Sequence, residues 1–301
     1  MNVNQLIAKL TNLFHQSFSD LTLCQQYAWW MLEAITQHDQ AHLVASGDIT
    51  LTPQQEAQID DWCIKIIQQH MPIAYLLGAV PFNDIEIVVH PPTLIPRPET
   101  EEWTVQLIAD LQKIKYKSIT IIEPCTGTGC IALALAHALP QAMVWATDIS
   151  LQALALAHKN ARHNNVDNVT FVHSDLFKQI PIHIRADIIV VNPPYISEQE
   201  WQTLDTSVTK WEDKQALVAP DDGLAIIQQI IKQAPQWLQI NKELSQHEIP
   251  QLMIEIGHTQ ADAVVALMKD AHYNAIHVHK DLEGKNRVVS GRIDYVGTTT
   301  S

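Results

Sequence analysis

The chain has 301 residues, of which 47% are hydrophobic, and this is enough to build one large domain and a smaller one. Its formal net charge of −14 argues against a non-specific DNA-binding surface, which needs clustered lysine and arginine to neutralise phosphates. The first residues lack the basic and apolar regions of a signal peptide, and no apolar run approaches the roughly 18 residues of a membrane span. We therefore expect a cytoplasmic protein that binds neither nucleic acid nor a membrane directly.

The cysteine and histidine patterns indicate no metal site. The four cysteines are irregularly spaced, which fits neither a disulfide framework nor a paired zinc site. His38 and His42 are four residues apart, but no third ligand is nearby in the sequence, so a solvated helix face is the better interpretation. A catalytic thiol at Cys125 or Cys130 would need a histidine or aspartate partner pattern that the chain lacks. We expect reduced thiols and no bound metal.

The first 71 residues are predicted to form a helical domain. Apolar residues recur at helical spacing in stretches such as 6–14 and 59–67. Thr52 before Pro53 is typical of a helix N-cap followed by a proline in the first turn. Because residues 1–71 show no catalytic constellation, we interpret them as a separate domain outside the chemistry.

Residues 72–98 are predicted to form a stiff connector that resembles a hairpin. Prolines recur along this stretch and argue against a continuous helix, while the β-branched run Ile85–Val89 predicts a short strand. The helix expected after it places Trp103, Leu107 and Leu111 on one side. That apolar side should pack on a sheet.

A glycine-containing turn after a buried strand predicts a site for an adenosine-bearing cofactor. The turn follows strand 118–123 and consists of Pro124, Cys125, Thr126, Gly127, Thr128 and Gly129. Glycines between a strand and a helix let the backbone approach a nucleotide-type ligand closely. Asp148 ends the next strand, where a ribose-binding acid is expected. By themselves, the turn and the acid do not separate a methyltransferase from a dehydrogenase.

Two further strands end in polar residues. Asp175 and Leu176 follow strand 169–173, and Asp175 is either a site residue or the cap of the next turn. The strand 186–191 ends at Asn192, because the two prolines that follow cannot continue a ladder. Open parallel sheets bind ligands at this carboxyl end. The alternative for an isolated Asn-Pro-Pro-Tyr is a simple strand-ending turn.

Strands alternate with helical patterns from about Arg97 onward, and a tail hairpin around 276–292 closes the series. This order predicts a doubly wound α/β sheet with a reversed end.

Three stretches together resemble one known family. Pro72–Gly78 and Leu94–Glu101 resemble the connector of the release factor glutamine methyltransferases, the HemK or PrmC family. Asn192–Tyr195 is similar to the substrate clamp of S-adenosylmethionine-dependent methyltransferases that modify planar amide or amino nitrogens. The resemblance implies an α/β fold with the seven-stranded Rossmann-like sheet of those methyltransferases and a small N-terminal helical domain. It also implies three parts of the chain. Residues 1–71 form an N-terminal helical domain for substrate recognition, residues 72–98 form the Pro-rich hairpin connector, and residues 99–301 form the methyltransferase catalytic domain.

The resemblance also implies a function and its residues. It implies methylation of the side-chain amide nitrogen of the glutamine in the Gly-Gly-Gln motif of peptide chain release factors. S-adenosyl-L-methionine is the implied cofactor, release factors are the implied partners, and the enzyme is expected to be a monomer. The expected cofactor contacts are Cys125, Thr126, Gly127, Thr128, Gly129, Asp148, Asp175, Leu176 and Asn192. The expected catalytic residues are Asn192, Pro193, Pro194 and Tyr195.

The residues suggest how such a site would work, and where the chain departs from the family. We hypothesise that the NH2 group of Asn192 donates to the glutamine carbonyl and that the main-chain carbonyl of Pro193 accepts from the glutamine NH2, while Tyr195 limits the pocket. Cys125 stands where many relatives have glycine and should narrow the loop. The stretch 211–219 lacks the phenylalanine and proline that the family usually has there.

Three alternatives stay open at this point. A ribosomal-protein glutamine methyltransferase shares the fold and the chemistry, although Pro96–Glu101 favours the release factor branch. A DNA adenine or cytosine amino-methyltransferase would share Asn-Pro-Pro-Tyr but should carry a basic recognition segment. A binding module without activity would not require both Asp148 and Asn192.

Overall fold

The computed structural model describes residues 2–114 and 118–293. The chain divides into two compact units. The first holds the chain up to Ala79 together with Asp205–Trp211, and the second holds Val80–Leu204 and the chain from Glu212 onward. The boundary predicted at residue 71 falls between the fourth and fifth helices. None of the helices in the described ranges combines the length and the apolarity that a membrane crossing requires.

Helices occur in both units. They are α1 (Val3–Phe14), α2 (Leu21–Thr36), α3 (Gln40–Ser46), α4 (Pro53–Ile67), α5 (Ile73–Leu77), α6 (Pro98–Gln112), α7 (Cys130–Ala138), α8 (Leu151–His163), α9 (Glu198–Trp201), α10 (Thr206–Trp211), α11 (Lys214–Leu217), α12 (Ala225–Gln233), α13 (Lys242–Gln246) and α14 (Ala261–Asp270).

Within residues 2–114 and 118–293, the strands form two sheets. They are β1 (Ala79–Phe82), β2 (Ile85–Val88), β3 (Ile119–Pro124), β4 (Ala142–Asp148), β5 (Val169–His173), β6 (Ile188–Val191), β7 (Leu252–Glu255), β8 (Asn274–Lys280) and β9 (Asn286–Arg292). The first two pair in a small sheet, which agrees with the hairpin expected in the connector.

The first unit is helical because its polar residues cap helices whose apolar faces share one core. The predicted cap at Thr52 is confirmed: its side chain accepts from the backbone N–H of Gln55, whose side chain in turn accepts from the backbone N–H of Thr52. Phe14, Met31 and Ile66 from three different helices are almost fully buried in the core. Trp211, at the end of α10, donates from Nε1 to the carbonyl of Gln69 at 2.9 Å.

The second unit is built on a seven-stranded sheet with the order β5-β4-β3-β6-β7-β9-β8. Strands β3 to β7 pair in parallel, and β9 runs antiparallel to β7 and to β8. The predicted fold, a doubly wound sheet closed by an antiparallel hairpin, is confirmed. All residues of the central strands β3 and β6 are buried, as continuous apolar runs in parallel strands require.

The topology fixes where a ligand binds. From β3 the chain builds outward through β4 to β5, whereas β6 returns to the other side of β3. Such a reversal of strand order leaves a crevice at the carboxyl ends of the two central strands. The ends of β3 and β6 are the places where the sequence has its glycine-containing turn and its Asn-Pro-Pro-Tyr.

Candidate active site

A cavity of about 210 Å³ lies at the carboxyl ends of β3, β4, β5 and β6. Its walls include six predicted cofactor residues, contributed by all four strand ends: Cys125, Gly127, Asp148, Asp175, Leu176 and Asn192. Pro194 also lines it, together with Pro92–Leu94 from the connector and Asp213 from the segment after the clamp. The structure therefore brings part of each predicted set to one space, whereas Pro193 and Tyr195 do not line the cavity.

The turn after β3 adopts left-handed backbone conformations, which suit glycine. Gly127 and Gly129 have φ of 56° and 82°, and Cys125 has φ of 60°. A Cβ on Gly129 would lie 3.2 Å from the Cβ of Ala157, so Gly129 also lets α7 approach α8. Burial and the nearby carboxylate of Asp148 raise the pKa of the Cys125 thiol. Cys125 is therefore a neutral wall residue and not a nucleophile.

Three of the predicted contact residues shape the turn from behind. Thr126 and Thr128 are each 3% exposed, and neither lines the cavity, nor does Gly129. The hydroxyl of Thr126 donates to Glu123 at 2.6 Å, and the carbonyl of Thr128 accepts from the side chain of Asn160 at 3.0 Å. These bonds tie the turn to β3 and to α8.

Asp148 is held by the backbone on both sides. Its Oδ2 accepts from the N–H of Gly127 and its Oδ1 from the N–H of Ser150, each at 2.8 Å. Burial raises the pKa of Asp148, and these backbone hydrogen bonds oppose the shift. The carboxylate is thus fixed at the cavity wall with lone pairs left for the hydroxyl groups of a ligand.

The charge of the cavity wall favours a cationic ligand. Asp148, Asp175 and Asp213 line it, and none of its described lining residues is lysine, arginine or histidine. Asp175 is paired with the exposed Lys178 at 2.6 Å, whereas Asp213 caps α11 by accepting from the N–H of Gln215 at 2.9 Å. A dinucleotide pyrophosphate would meet these carboxylates without a compensating base. S-adenosylmethionine fits better because it carries a positive sulfonium and no phosphate.

Leu176 follows Asp175 with φ of 51°, an unusual conformation for leucine. Its carbonyl accepts from the hydroxyl of Thr147 at 2.7 Å. The side chain is buried and lines the cavity. An apolar side chain at this place suits the flat face of an adenine.

The Asn-Pro-Pro-Tyr segment is held by side chains from α6, from β7 and from the residue before α14. Nδ2 of Asn192 donates to the hydroxyl of Thr100 at 3.1 Å, and the hydroxyl of Tyr195 donates to Glu255 at 3.3 Å. The carbonyl of Tyr195 accepts from Nε2 of Gln260 at 2.9 Å. A Cβ at Gly223 would lie 1.9 Å from that same carbonyl oxygen. The backbone at the end of the clamp is thus packed against a glycine and anchored by a glutamine.

Two buried carboxylates at strand ends escaped the sequence analysis. Burial raises the pKa of Glu123 to about 8, against hydrogen bonds from Thr126 and from the N–H of Ala132. Burial also raises the pKa of Glu255, opposed first by hydrogen bonds from Trp103 and Thr100. Both glutamates follow apolar strand residues, and such an acid at the carboxyl end of a parallel strand is a signal that sequence reasoning could have used.

A buried ion pair stabilises the segment after the clamp. Nη2 of Arg97 donates to both carboxylate oxygens of Glu212, at 2.7 and 2.6 Å, and the Glu212 side chain is only 1% exposed. The next residue, Asp213, donates its N–H to the carbonyl of Pro92 at 2.7 Å. The pair thus links the end of the connector to the segment that carries Asp213 to the cavity.

Comparison with known proteins agrees with this geometry. Residues 99–251 match the methyltransferase small domain, and residues 19–78 match the PrmC N-terminal domain. The release factor glutamine methyltransferase of Lactococcus lactis is 38% identical over 78% of this chain and 83% of its own. That of Flavobacterium psychrophilum is 33% identical over 95% of each chain.

The fold agrees as well. The hMettl16 catalytic domain superposes with a TM-score of 0.51 over 89% of this chain and 91% of its own, at 16% identity, which shows a shared fold alone. The identity to the curated relatives extends over both the helical and the catalytic parts. The chain therefore belongs to the release factor glutamine methyltransferase family and is an S-adenosylmethionine-dependent methyltransferase.

Proposed function

We propose that this enzyme methylates the side-chain amide nitrogen of the glutamine in the Gly-Gly-Gln motif of peptide chain release factors. The observation that carries the proposal is that Asn192 and Pro194 line the same cavity as Gly127 and Asp148. A clamp suited to a planar amide and a loop suited to S-adenosylmethionine thus share one space. The relatives' own names, release factor glutamine methyltransferase, support the choice of substrate.

The low reactivity of the substrate nitrogen means that the site must act chiefly by orienting it. An amide nitrogen is a poor nucleophile because its lone pair is delocalised into the carbonyl. When bound, S-adenosylmethionine supplies a methyl group on a positively charged sulfur. Holding a nucleophile in line with such a group contributes on the order of 7–11 kcal/mol to lowering a barrier. The residues of the clamp provide this orientation.

Asn192 and Pro193 hold the amide in this proposal. Nδ2 of Asn192 is directed at Thr100, which is 2% exposed, so the Nδ2 end of the amide points into the protein. Oδ1 of Asn192 and the main-chain carbonyl of Pro193 then accept the two N–H groups of the glutamine. This assignment differs from the sequence-based hypothesis, in which Nδ2 donates to the glutamine carbonyl. Pro194 limits the pocket on the side of the clamp, and Tyr195, which does not line the cavity, supports the clamp through its hydrogen bond to Glu255.

Two acceptors on one NH2 group also account for the proton. As the new carbon–nitrogen bond forms, the nitrogen becomes positively charged and its N–H groups become strongly acidic. The acceptors stabilise that charge, and the proton passes to water. The site therefore needs no dedicated strong base.

The cofactor residues act as a preformed cradle in this proposal. Asp148 accepts from the ribose hydroxyls, and Leu176 packs against the adenine. Cys125, Gly127 and Asp175 line the cavity that would hold the cofactor. Thr126, Thr128 and Gly129 act through the shape of the turn, since they lie behind its surface.

Transfer of labelled methyl groups tests the function directly. The enzyme and labelled S-adenosylmethionine are incubated with purified release factor, with its Gly-Gly-Gln variant that has alanine for glutamine, with ribosomal protein and with duplex DNA. Label on the wild-type factor alone is the expected result. Label on ribosomal protein or on DNA instead would contradict the proposal, as would an absence of label despite cofactor binding.

Asn192→Ala tests the clamp. The substitution removes the acceptor that orients the amide, so turnover at saturating cofactor should fall on the order of 100-fold, the cost of a misplaced reactant. Because Asn192 is one of several wall residues, the dissociation constant for S-adenosylmethionine should change far less. Steady-state kinetics and calorimetric cofactor titration measure the two effects. Near-normal turnover of the variant would refute the role of Asn192.

We further propose that the enzyme acts as a monomer in the cytoplasm, on protein and not on nucleic acid. The net charge of −14 supports a protein substrate, because it would repel a nucleic-acid backbone. Sedimentation velocity of the purified enzyme tests the monomer, and a dimer at micromolar concentration would contradict it.

A further inference from the structure

Glu255 is a buried carboxylate that connects α6 to the substrate clamp. It ends β7, is 1% exposed, and accepts at Oε2 from the hydroxyl of Thr100 at 2.7 Å and from Nε1 of Trp103 at 2.8 Å. Its Oε1 accepts from the hydroxyl of Tyr195 at 3.3 Å. Both distances lie within the usual range for well-formed hydrogen bonds. Glu255 thus fixes two side chains of the first turns of α6.

The single hydroxyl proton of Thr100 determines how the side-chain amide of Asn192 is oriented. A threonine hydroxyl has one proton to donate, and Thr100 gives it to the carboxylate of Glu255. Towards Asn192, 3.1 Å away, the same oxygen can only accept. Asn192 must therefore present Nδ2 and not Oδ1 to Thr100, because two acceptors facing each other would repel. The series Asn192 to Thr100 to Glu255 sets the rotation of the amide about its last torsion.

The backbone of the clamp is held by different groups. Gln260 donates from Nε2 to the carbonyls of Tyr195 and Asp222, at 2.9 and 3.0 Å. The rotation of the Asn192 amide is a separate degree of freedom that these bonds do not control. A loss of the Thr100 hydroxyl should therefore leave the segment in place and free the amide to rotate.

We propose that Thr100 is a positioning residue for methyl transfer, which sets the direction of the Asn192 amide through its hydrogen bonds to Asn192 and Glu255. The proposal rests on the proposed function in one respect, since Asn192 must be the group that orients the glutamine. It gives the Pro-Arg-Pro-Glu-Thr segment a role in the chemistry in addition to its role as a connector. Thr100 contributes no direct contact to the substrate.

The kinetic test uses a matched set of substitutions on α6. Thr100→Val removes the hydroxyl and keeps the shape, Thr100→Ser keeps the hydroxyl, and Thr104→Val removes another buried hydroxyl one turn later. Thr104 donates to the carbonyl of Thr100 and is not bonded to Glu255 or Asn192. Thr100→Val should lower kcat on the order of 10- to 100-fold, in keeping with the cost of a misplaced reactant, and leave KM for S-adenosylmethionine nearly unchanged.

Thr100→Ser should recover most of kcat, and Thr104→Val should keep it even if its Tm falls. A merely structural role for Thr100 predicts that kcat follows Tm in all three variants, and that result would overturn the proposal. In an Asn192→Ala background, Thr100→Val should have no further effect, because the two residues act through one interaction. Full additivity of the two losses would also overturn it.

A measurement without any methyl acceptor separates this inference from the proposed function. The side-chain NH2 resonances of Asn192 are identified in ¹⁵N spectra by their loss in Asn192→Asp. In the wild type and in Thr100→Ser, one of these protons should exchange slowly with solvent, and in Thr100→Val both should exchange rapidly. Unchanged protection in Thr100→Val would refute the positioning role even if release factor is the substrate. Conversely, a failure to methylate release factor would refute the proposed function. The exchange rates of the Asn192 protons would still test whether Thr100 orients the amide.

Discussion

Cys125 lies in the glycine-containing turn after β3, at a position whose backbone conformation favours glycine. Its φ of 60° lies in the left-handed region, where a Cβ costs roughly 1–2 kcal/mol. Replacement by glycine removes that cost. It also makes the unfolded chain more flexible, which lowers the stability by about 0.4–1 kcal/mol. We expect Cys125→Gly to be more stable than Cys125→Ala by up to about 1.6 kcal/mol.

Urea unfolding of both variants measures this difference, and the alanine variant serves as the control because it keeps the Cβ and removes only the thiol. Equal stability of the two would show that the loop relaxes elsewhere. Because the Cys125 thiol is part of the cavity wall, both variants should also alter the affinity for S-adenosylmethionine in the same direction.

Glu123 should make the stability of the enzyme depend on pH. Its pKa is raised from 4.5 to about 8 by burial, so the folded state holds a proton that the unfolded state has lost. Stability contributed by this proton is complete below pH 4.5 and is lost as the pH rises to about 8. The slope is at most about 1.4 kcal/mol per pH unit, which gives an upper value of roughly 3 kcal/mol between about pH 5.5 and 7.5.

Glu123→Gln keeps an acceptor for Thr126 and Ala132 and cannot ionise. Its free energy of unfolding should therefore fall less than that of the wild type over the same pH interval. Urea titrations at the two pH values provide the comparison, and the histidines contribute equally to both proteins. Parallel pH profiles would mean that Glu123 is already ionised in the folded enzyme near neutral pH.

At the scale of single residues, the sequence predicted the strand ends but not the network behind them. Asn192 and Asp148 could be placed because prolines and a glycine turn mark where their strands stop. Thr100 and Glu255 are 155 residues apart and meet only through the order of the strands. Their roles depend on a hydrogen-bond partner, which no local pattern specifies.

At the scale of elements, the tight contact between Gly223 and the clamp gives a direct test of how the segment is supported. Gly223 has φ of 82°, and a Cβ there would lie 1.9 Å from the carbonyl oxygen of Tyr195. Gly284 has φ of 80° and no neighbour within 4 Å of a Cβ. Gly223→Ala and Gly284→Ala thus share a backbone cost of roughly 1–2 kcal/mol, but only the first must displace Tyr195.

We expect Gly223→Ala to lower kcat on the order of 100-fold, because the displacement moves the clamp. Gly284→Ala should keep kcat and lose only stability. Kinetics and thermal unfolding of the two variants give the comparison, and cofactor affinity reports whether Gly223→Ala retains a folded cavity. A similar small loss in both variants would show that the turn at Gly223 yields without moving the clamp.

The elements differ in how well the sequence predicts them. Buried strands such as β3 and β6 are continuous apolar runs, and the cap at Thr52 is a local signal, so both were predicted correctly. The short helices α9, α10 and α11 after the clamp have at most one buried residue each. Their positions depend on long-range bonds such as the Arg97–Glu212 pair, which periodicity does not reveal.

At the scale of the whole molecule, the division into units is not continuous in sequence. The segment Asp205–Trp211 belongs to the helical unit although it lies between the clamp and the residues that return to the cavity. The bond from Trp211 to Gln69 spans 142 residues. The sequence-based boundaries place this segment in the catalytic domain, because nothing in its own composition marks it as part of a helical core that is distant in sequence.

The acidic excess of the chain extends to the wall of the cavity. The chain carries 33 acidic and 19 basic residues, and the cavity wall repeats this excess. S-adenosylmethionine has one net positive charge, which its product S-adenosylhomocysteine lacks. Carboxylates along the wall should therefore favour the cofactor over the product, and added salt should weaken this preference because the screening length falls from roughly 10 Å at 0.1 M to 3 Å at 1 M. We expect the dissociation constant of S-adenosylmethionine to rise several-fold over that range and that of S-adenosylhomocysteine to change little.

Asp213→Asn removes one charge from the cavity wall and leaves Asp148 and Asp175 unchanged. Asparagine keeps the cap on α11, so only the charge is removed. The variant should bind S-adenosylmethionine about threefold more weakly, as the loss of a screened interaction of under 1 kcal/mol predicts, and bind S-adenosylhomocysteine as the wild type does. Calorimetric titrations of both ligands into the wild type and the variant, at low and high salt, measure these dissociation constants. If the two ligands respond equally to salt and to Asp213→Asn, shape alone sets the affinity, and the carboxylates of the wall do not assist the exchange of product for cofactor.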